Sequence, residues 1–396
     1  MKKLKILIII ALNQKEFVPE VYKNYVNVSL TPYFTNLIKL LEKDNEYEYY
    51  IVDSSDKLNK DISFYRNGLK YTIISNKNKY LGRQLPYIIR HYTGFRYMKK
   101  KMRRIINEYS PDIISTHGTY GDLVYCTADI DMPKLLTIDM FYDLYYEKSP
   151  NYIHKLYAKN ERRVIKSYKV ITYRTNFMIR KILELNPKAI TPYFGYPLDI
   201  DEELIGISSK KNIDIIYAAR IHKYLGVENY IELISILFKK GNRFKAKIIG
   251  GGDKQYINTI SDRIINLGLS NIIEIDANIE RHRDFLIQLS QARINVFPIV
   301  ESMISGTVIE SLAVNTPLLT FKSEVLSKLN TTRQSIIEIN GNLEEMANTI
   351  ERLLADQPFL NKIAENGLQT FLEQYHKPPQ VILDHYKNAL RTCLNL

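Results

Sequence analysis

Short apolar runs alternate with amphipathic stretches along this chain, and the alternation runs its course twice with a break between. In the first half, residues 4–10, 49–52, 71–74, 112–116, 134–138 and 170–172 read as strands. Helical patterns cover 32–43, 95–109 and 153–167. Residues 187–207 carry Pro187, Pro192, Gly195, Pro197 and Gly206 and read as a linker. The alternation then restarts, with strands at 213–218, 245–249, 272–275, 294–297 and 318–321. Helices are expected at 227–240, 257–267, 284–292 and 307–314, and 343–396 is helical throughout. Within 227–240, Tyr230, Ile231, Ile234, Leu237 and Phe238 fall on one stripe, the mark of a core-facing helix. Such alternation implies an α/β fold of two doubly wound, parallel-sheet, Rossmann-like domains facing a cleft, at 1–200 and 201–375. Ligands of such sheets sit beyond the carboxyl ends of the strands.

The window 294–317, INVFPIVESMISGTVIESLAVNTP, joins a buried strand to a loop of acidic and small residues and then to a helix. A helix start after such a loop offers unpaired N–H groups and a positive dipole end, which suits a phosphate. Glu310, about one turn in, is placed to accept hydrogen bonds from ribose hydroxyls. The expected ligand is a nucleotide-sugar.

Composition narrows the class. With 396 residues, 45% of them hydrophobic and 25% charged, the chain suits two globular domains. No apolar run reaches the roughly 18–20 residues of a membrane span. The opening MKKLKILIIIALNQKEF superficially resembles a signal peptide, but Asn13-Gln14-Lys15-Glu16 replaces a small-residue cleavage site, so a core strand is expected. Cys126 and Cys393 lie far apart, which points to neither a disulfide framework nor a cysteine metal site. A reducing cytoplasm is the expected compartment. The net charge of +12 is uneven: residues 1–200 hold 33 Lys+Arg against 20 Asp+Glu, and residues 201–396 hold 22 against 23. Of the 30 tyrosines, 24 are in the first half. The basic half is expected to face something anionic. Its densest segment, FRYMKKKMRRII, carries Lys99, Lys100, Lys101, Arg103 and Arg104. That helix reads either as a solvated face or as one that lies on an anionic bilayer. No nucleic-acid motif accompanies the charge.

The ordered pieces carry a family resemblance. Ala219-Arg220 stands at a strand end, Gly250-Gly251-Gly252-Asp253 at the next, and Glu301 with Glu310 at the window above. Val227-Glu228-Asn229, Leu267-Gly268-Leu269, Leu289-Ser290-Gln291-Ala292 and Ser311-Leu312-Ala313 follow in register, while Asp112 to His117 ends in a strand-end histidine. In these respects the chain resembles the retaining glycosyltransferases of the GT-B architecture, family 4, also called group 1. Departures are visible. The two glutamates are nine positions apart where the family has eight, which leaves Ser302 at the strict position. Leu225 replaces a lysine, with Lys223 nearby, and Asn315 replaces a glycine. Asp139 stands for a second histidine, and Ala11 to Lys15 lack the first loop's glycines.

The resemblance implies a site. The β-phosphate of a departing nucleoside diphosphate needs cations and amide donors aimed at it in advance. Arg220 offers a two-pronged guanidinium and Lys223 a point charge. The N–H groups of Ser305, Gly306 and Thr307 supply the helix terminus. Glu301, or Ser302 in the family register, grips sugar hydroxyls, Glu310 holds the ribose and His117 contacts the donor sugar. Gly250 and Gly252 allow close approach of the nucleotide, and Asn278-Ile279 contact the base. Each of these also has an ordinary structural reading, as a surface ion pair, a turn glycine or a core histidine. Retention by front-face attack would need no dedicated base, metal or other cofactor. The donor would be UDP- or GDP-linked, and the acceptor a hydroxyl of a lipid-linked saccharide or surface glycan. The final helix, 376–396, would cross back to the first domain. The alternatives are a catalytically silent nucleotide-sugar binding protein of the same fold and a nucleotide-sugar epimerase.

Overall fold

The computed structural model describes residues 3–12, 14, 32–77, 83–141, 151–198, 200–279, 281–300 and 304–395. The chain forms two compact units. One is chiefly Phe34–Pro197, joined by the strand that opens the chain and by the stretch from Pro378 on; the other is Leu198–Lys377. In the first unit, β1 (Lys5–Ile9), β2 (Glu48–Ser55), β3 (Ile62–Arg66), β4 (Leu69–Ser75), β5 (Ile113–His117), β6 (Lys134–Thr137) and β7 (Val170–Thr172) form one sheet, in the order β3-β4-β2-β1-β5-β6-β7. The second holds β8 (Ile213–Ala218), β9 (Ala246–Ile249), β10 (Ile273–Asp276), β11 (Ala292–Phe297), β12 (Leu318–Phe321) and β13 (Ile337–Ile339), in the order β10-β9-β8-β11-β12-β13. Without β3 the two orders are the same. Each sheet therefore reverses direction beside its first strand, between β1 and β5 in one unit and between β8 and β11 in the other. Such switch points are where the loops diverge and leave a crevice. Strands buried on both faces must be almost wholly apolar, and Ile6, Leu7 and Ile8 of β1 and Ile215 and Ile216 of β8 have no exposed surface.

Three expectations need correction. The first sheet is not wholly parallel, because β3 pairs antiparallel with β4. Asn67 and Gly68 join them, with φ of 49° and 79°, the left-handed pair that a two-residue hairpin turn requires. The residues 187–207 are not all linker. Ile190 and Tyr193 form parallel bridges to Val170 and Tyr173, so the chain extends the edge of the first sheet before it leaves that unit. The end of the chain, expected to be helical throughout with a separate final helix, is interrupted at two points, giving Leu343–Ala355, Gln357–Gln374 and Pro379–Leu394. Asp356 caps the second of these and Pro379 opens the third.

The last helix belongs to the first unit. Tyr386 on it is fully buried and donates to Ser115 Oγ at 2.8 Å. Lys387 Nζ reaches Asp44 at 2.5 Å and Glu46 at 2.9 Å, and Arg391 meets Glu46 at 2.6 Å. These cations hold the Glu46 carboxyl down to about 2. Among the described residues no helix is long and apolar enough to cross a membrane.

Candidate functional site

The carboxyl end of β8 is built by close backbone packing. Gly250, at φ 138°, lies so near Ala219 that a Cβ would sit 2.0 Å from its carbonyl oxygen, and one on Gly252 would sit 2.5 Å from that of Ile221. The Ile221 N–H donates to Gly251 O at 2.9 Å, so two neighbouring strand ends are zipped beyond the sheet. These glycines thus have a structural duty of their own, since no side chain fits between the two backbones. The following loop is pinned from two sides. Beneath it, the buried Tyr217 donates to Arg220 O at 3.1 Å and Leu225 O at 2.8 Å. Across the switch point, Gly226, at φ 80°, packs where a Cβ would meet Pro298 O at 2.9 Å, and Asn229 Nδ2 donates to that oxygen at 3.0 Å. The loop from Arg220 to Gly226 is thereby fixed beside the end of β11. Arg220 and Lys223 are exposed on it. Burial, and then the Arg220 charge, push the His222 imidazole below its ordinary range.

Beyond β11 the helix Gly306–Ala313 opens at Ser305, which has φ −79° and ψ 162°. The Ser305 hydroxyl makes no cap bond, and it is buried with no hydrogen-bond partner among the described residues. A buried orphan hydroxyl at a helix start is where a ligand oxygen fits, since the first N–H groups also lack intrahelical partners. The helix is anchored from behind: Asn295 Nδ2 donates to Ser311 Oγ at 2.7 Å, which donates on to Thr307 O at 2.8 Å. It ends with Asn315 at φ 56°, where Thr316 N–H reaches Ser311 O at 2.9 Å. Asn tolerates this left-handed position next best after glycine, so the departure from the family's glycine leaves the turn intact.

Glu310 is buried, 6% exposed, and its Oε1 lies 2.8 Å from His282 Nε2. Ile279 is buried, whereas Asn278 is exposed with its N–H turned to Asp276 Oδ1 at 3.3 Å. Glu301 and Ser302 lie outside the described residues. Sequence reasoning missed Tyr217, Asn229 as an anchor, and His282. The first is one apolar residue among several in its strand, and no spacing links His282 to a glutamate 28 positions on.

In the first unit, two of the described carboxyl ends, those of β2 and β5, carry side chains with partners of their own. Leu12 N–H and Gln14 Nε2 donate to Asp53 Oδ2 at 3.0 and 2.5 Å, and burial raises the Asp53 carboxyl to about 6. His117 ends β5, but it is 3% exposed, 3.2 Å from Ser115 Oγ and 3.4 Å from the Tyr386 hydroxyl. Burial, with a smaller effect from Arg174, pushes its imidazole down to about 3. The expected contact with a donor sugar is not what this geometry favours; the ring is core packing under the last helix. In the basic helix Arg96–Tyr109, Met98, Met102 and Ile105 face inward. Lys99 pairs with Asp129, and Lys101 with Asp61 at 2.6 Å. The exposed cations are Arg96, Lys100, Arg103 and Arg104.

Residues 201–370 match the family model of glycosyl transferases group 1. Over that stretch, which makes up most of the second unit, the chain is similar to the group 1 glycosyltransferases. A search of curated proteins gives no sequence match. The fold, two Rossmann-like domains as in the GT-B architecture, is shared with solved structures of low identity. Sucrose-phosphate synthase from Thermosynechococcus elongatus aligns at TM-score 0.75 and 13% identity, over 99% of this chain and 100% of the other. Anabaena HepE in complex with UDP and glucose aligns at 0.68 and 12%, over 98% and 99%. A glycosyltransferase from Rickettsia africae aligns at 0.59 and 18%, over 100% and 99%.

Proposed function

We propose that this protein is a glycosyltransferase that binds a UDP- or GDP-sugar in its second domain and moves the sugar, with retention, to a hydroxyl of a lipid-linked saccharide or surface glycan. One observation carries the donor site. At the β8–β11 switch point, a pinned loop holding Arg220 and Lys223 lies beside the end of β11, and the helix that follows β11 opens at Ser305, whose hydroxyl has no partner among the described residues. Two cations and a row of amides suit a diphosphate whose charge grows as the anomeric C–O bond breaks. The helix terminus contributes up to about 2 kcal/mol in a partly buried site. Glu310 takes the ribose, and Glu301 or Ser302 the sugar hydroxyls. The solved structures of HepE with UDP-glucose and of an E. coli protein bound with UDP-2-fluoro glucose support a UDP-linked donor.

In the step itself the acceptor oxygen bonds to the anomeric carbon on the face the phosphate leaves. The acceptor proton passes to a departing phosphate oxygen, so neither a protein base nor a metal is called on. For the acceptor side, Arg96, Lys100, Arg103 and Arg104 sit on the helix that follows Ile88, Ile89 and Tyr92, all of them exposed. Cations beside exposed apolar groups favour a peripheral hold on an anionic cytoplasmic membrane face.

A thermal-shift and hydrolysis screen of UDP- and GDP-sugars tests the reading. One nucleotide sugar should raise the melting temperature and release free sugar slowly. Binding without any turnover or transfer supports a silent module instead. Liposome flotation of a Lys100→Ser, Arg103→Ser, Arg104→Ser variant tests the membrane arm, which fails if the parent does not float or the variant floats equally.

A further inference from the structure

We infer that His282 is a positioning residue for ribose recognition. It holds one oxygen of the Glu310 carboxylate so that the other is presented to the hydroxyls of the donor's ribose. This rests on the donor reading above and adds to it a second residue and a specificity.

Glu310 lies in the second turn of the Gly306–Ala313 helix, almost fully buried, and a carboxylate there loses most of its hydration. A hydrogen-bond donor offsets that loss, and His282 supplies one, its Nε2 2.8 Å from Oε1. An imidazole N–H donating from Nε2 to a carboxylate makes a charge-assisted bond, which fixes the carboxylate's rotation. The imidazole is fixed in turn. His282 is the first residue of the His282–Ser290 helix, and its ring stacks nearly parallel on buried Phe285, 15° apart with centroids at 6.1 Å. A carboxylate has two oxygens and about four lone-pair sites, so one bond to His282 leaves capacity for a vicinal diol. A site built to bond sugar hydroxyls discriminates against analogues lacking them, because its polar groups are then left unmatched. Two helices of the second domain, one opening beside the phosphates and one after β10, thus meet in a side-chain pair aimed at the ribose.

The test compares UDP with 2′,3′-dideoxy-UDP, and GDP with 2′,3′-dideoxy-GDP, by calorimetry on the full-length parent, His282→Ala and His282→Gln. The parent should bind the ribonucleotide about tenfold or more tightly than the dideoxy form, as expected for hydrogen bonds to a charged group. In His282→Ala the ribonucleotide should weaken until the ratio falls to about threefold or less, with the dideoxy form little changed. His282→Gln, whose amide reaches a similar point, should restore most of the ratio. His282→Asn replaces Ala if the latter fails to fold. An unchanged ratio in a folded His282→Ala or His282→Asn protein overturns the inference, as does equal weakening of both nucleotides, and both leave the donor reading standing. Absence of any binding of UDP or GDP to the parent overturns the donor reading and this inference with it.

Discussion

The two sheets share a strand order, yet their carboxyl ends are finished differently. In the second domain, glycines draw backbones together, Tyr217 and Asn229 pin a loop from below and across, and Arg220, Lys223 and an open helix start are left facing outward. In the first, Asp53 gathers donors from the chain after β1, and His117 is sealed beneath the last helix. Topology creates a switch point in both cases. Side chains decide whether it is filled from within or held open for a ligand, and among the described residues the second domain has the equipment for an anion.

The sharpest way to break this contrast is Arg220→Ala. If its guanidinium meets the leaving phosphate, kcat for transfer or donor hydrolysis should fall by about 10²–10³ while the fold is kept, since the residue is exposed. Parental turnover would remove Arg220 from the chemistry. The next largest effect is on stability and belongs to the first domain. Lys387→Ala leaves the Asp44 and Glu46 carboxylates without their buried cation, and should cost on the order of 3 kcal/mol in urea unfolding followed by a first-domain probe. Donor affinity in the second domain should not follow it.

Smaller still is Tyr217→Phe, which removes the hydroxyl under the Arg220 loop. About 1–2 kcal/mol of stability should go, with a several-fold rise in KM for the donor. An unchanged KM would show the loop to be held by Gly226 and Asn229 alone. The effect that is smallest at neutral pH, and grows only toward acid, is a pH slope. His117 titrates near 6.5 when unfolded and about 3 in its buried site, so its stabilising contribution is complete above 6.5 and is lost as pH falls toward 3. Asp53 works the other way, raised from 3.8 to about 6, its contribution being lost as pH rises through that value. The readout is therefore the difference between parent and His117→Asn, which should flatten the acid side by up to about 1.4 kcal/mol per pH unit.

Much of the fold was legible in the sequence, because strands buried on both faces must be continuous apolar runs. Ile213–Ala218 and Leu318–Phe321 appear within the limits their sequences predict. The hairpin strand Ile62–Arg66 escaped because its residues are half-exposed and lack such a run, although Asn67-Gly68 was the signal that names the turn. Around the site, residues tied to backbone geometry could be read. Gly250 and Gly252 follow a strand end, and Gly306 opens a helix. Residues whose meaning comes from a side chain far away in sequence could not be. His282 gains its partner only when two helices pack, and His117 looks like a site residue until Tyr386, 269 positions on, covers it. The basic helix was half legible, since its charge is plain in the sequence but the ion pairs of Lys99 and Lys101 depend on Asp129 and Asp61.

Amide hydrogen exchange of the full-length protein, with saturating UDP and then GDP, tests the central claim most directly. One nucleotide is expected to slow exchange in residues 219–226 and 304–313 of the second domain, around the Arg220 loop and the start of the Gly306–Ala313 helix. Protection confined to the first domain, or bound nucleotide with no protection in either segment, would contradict it.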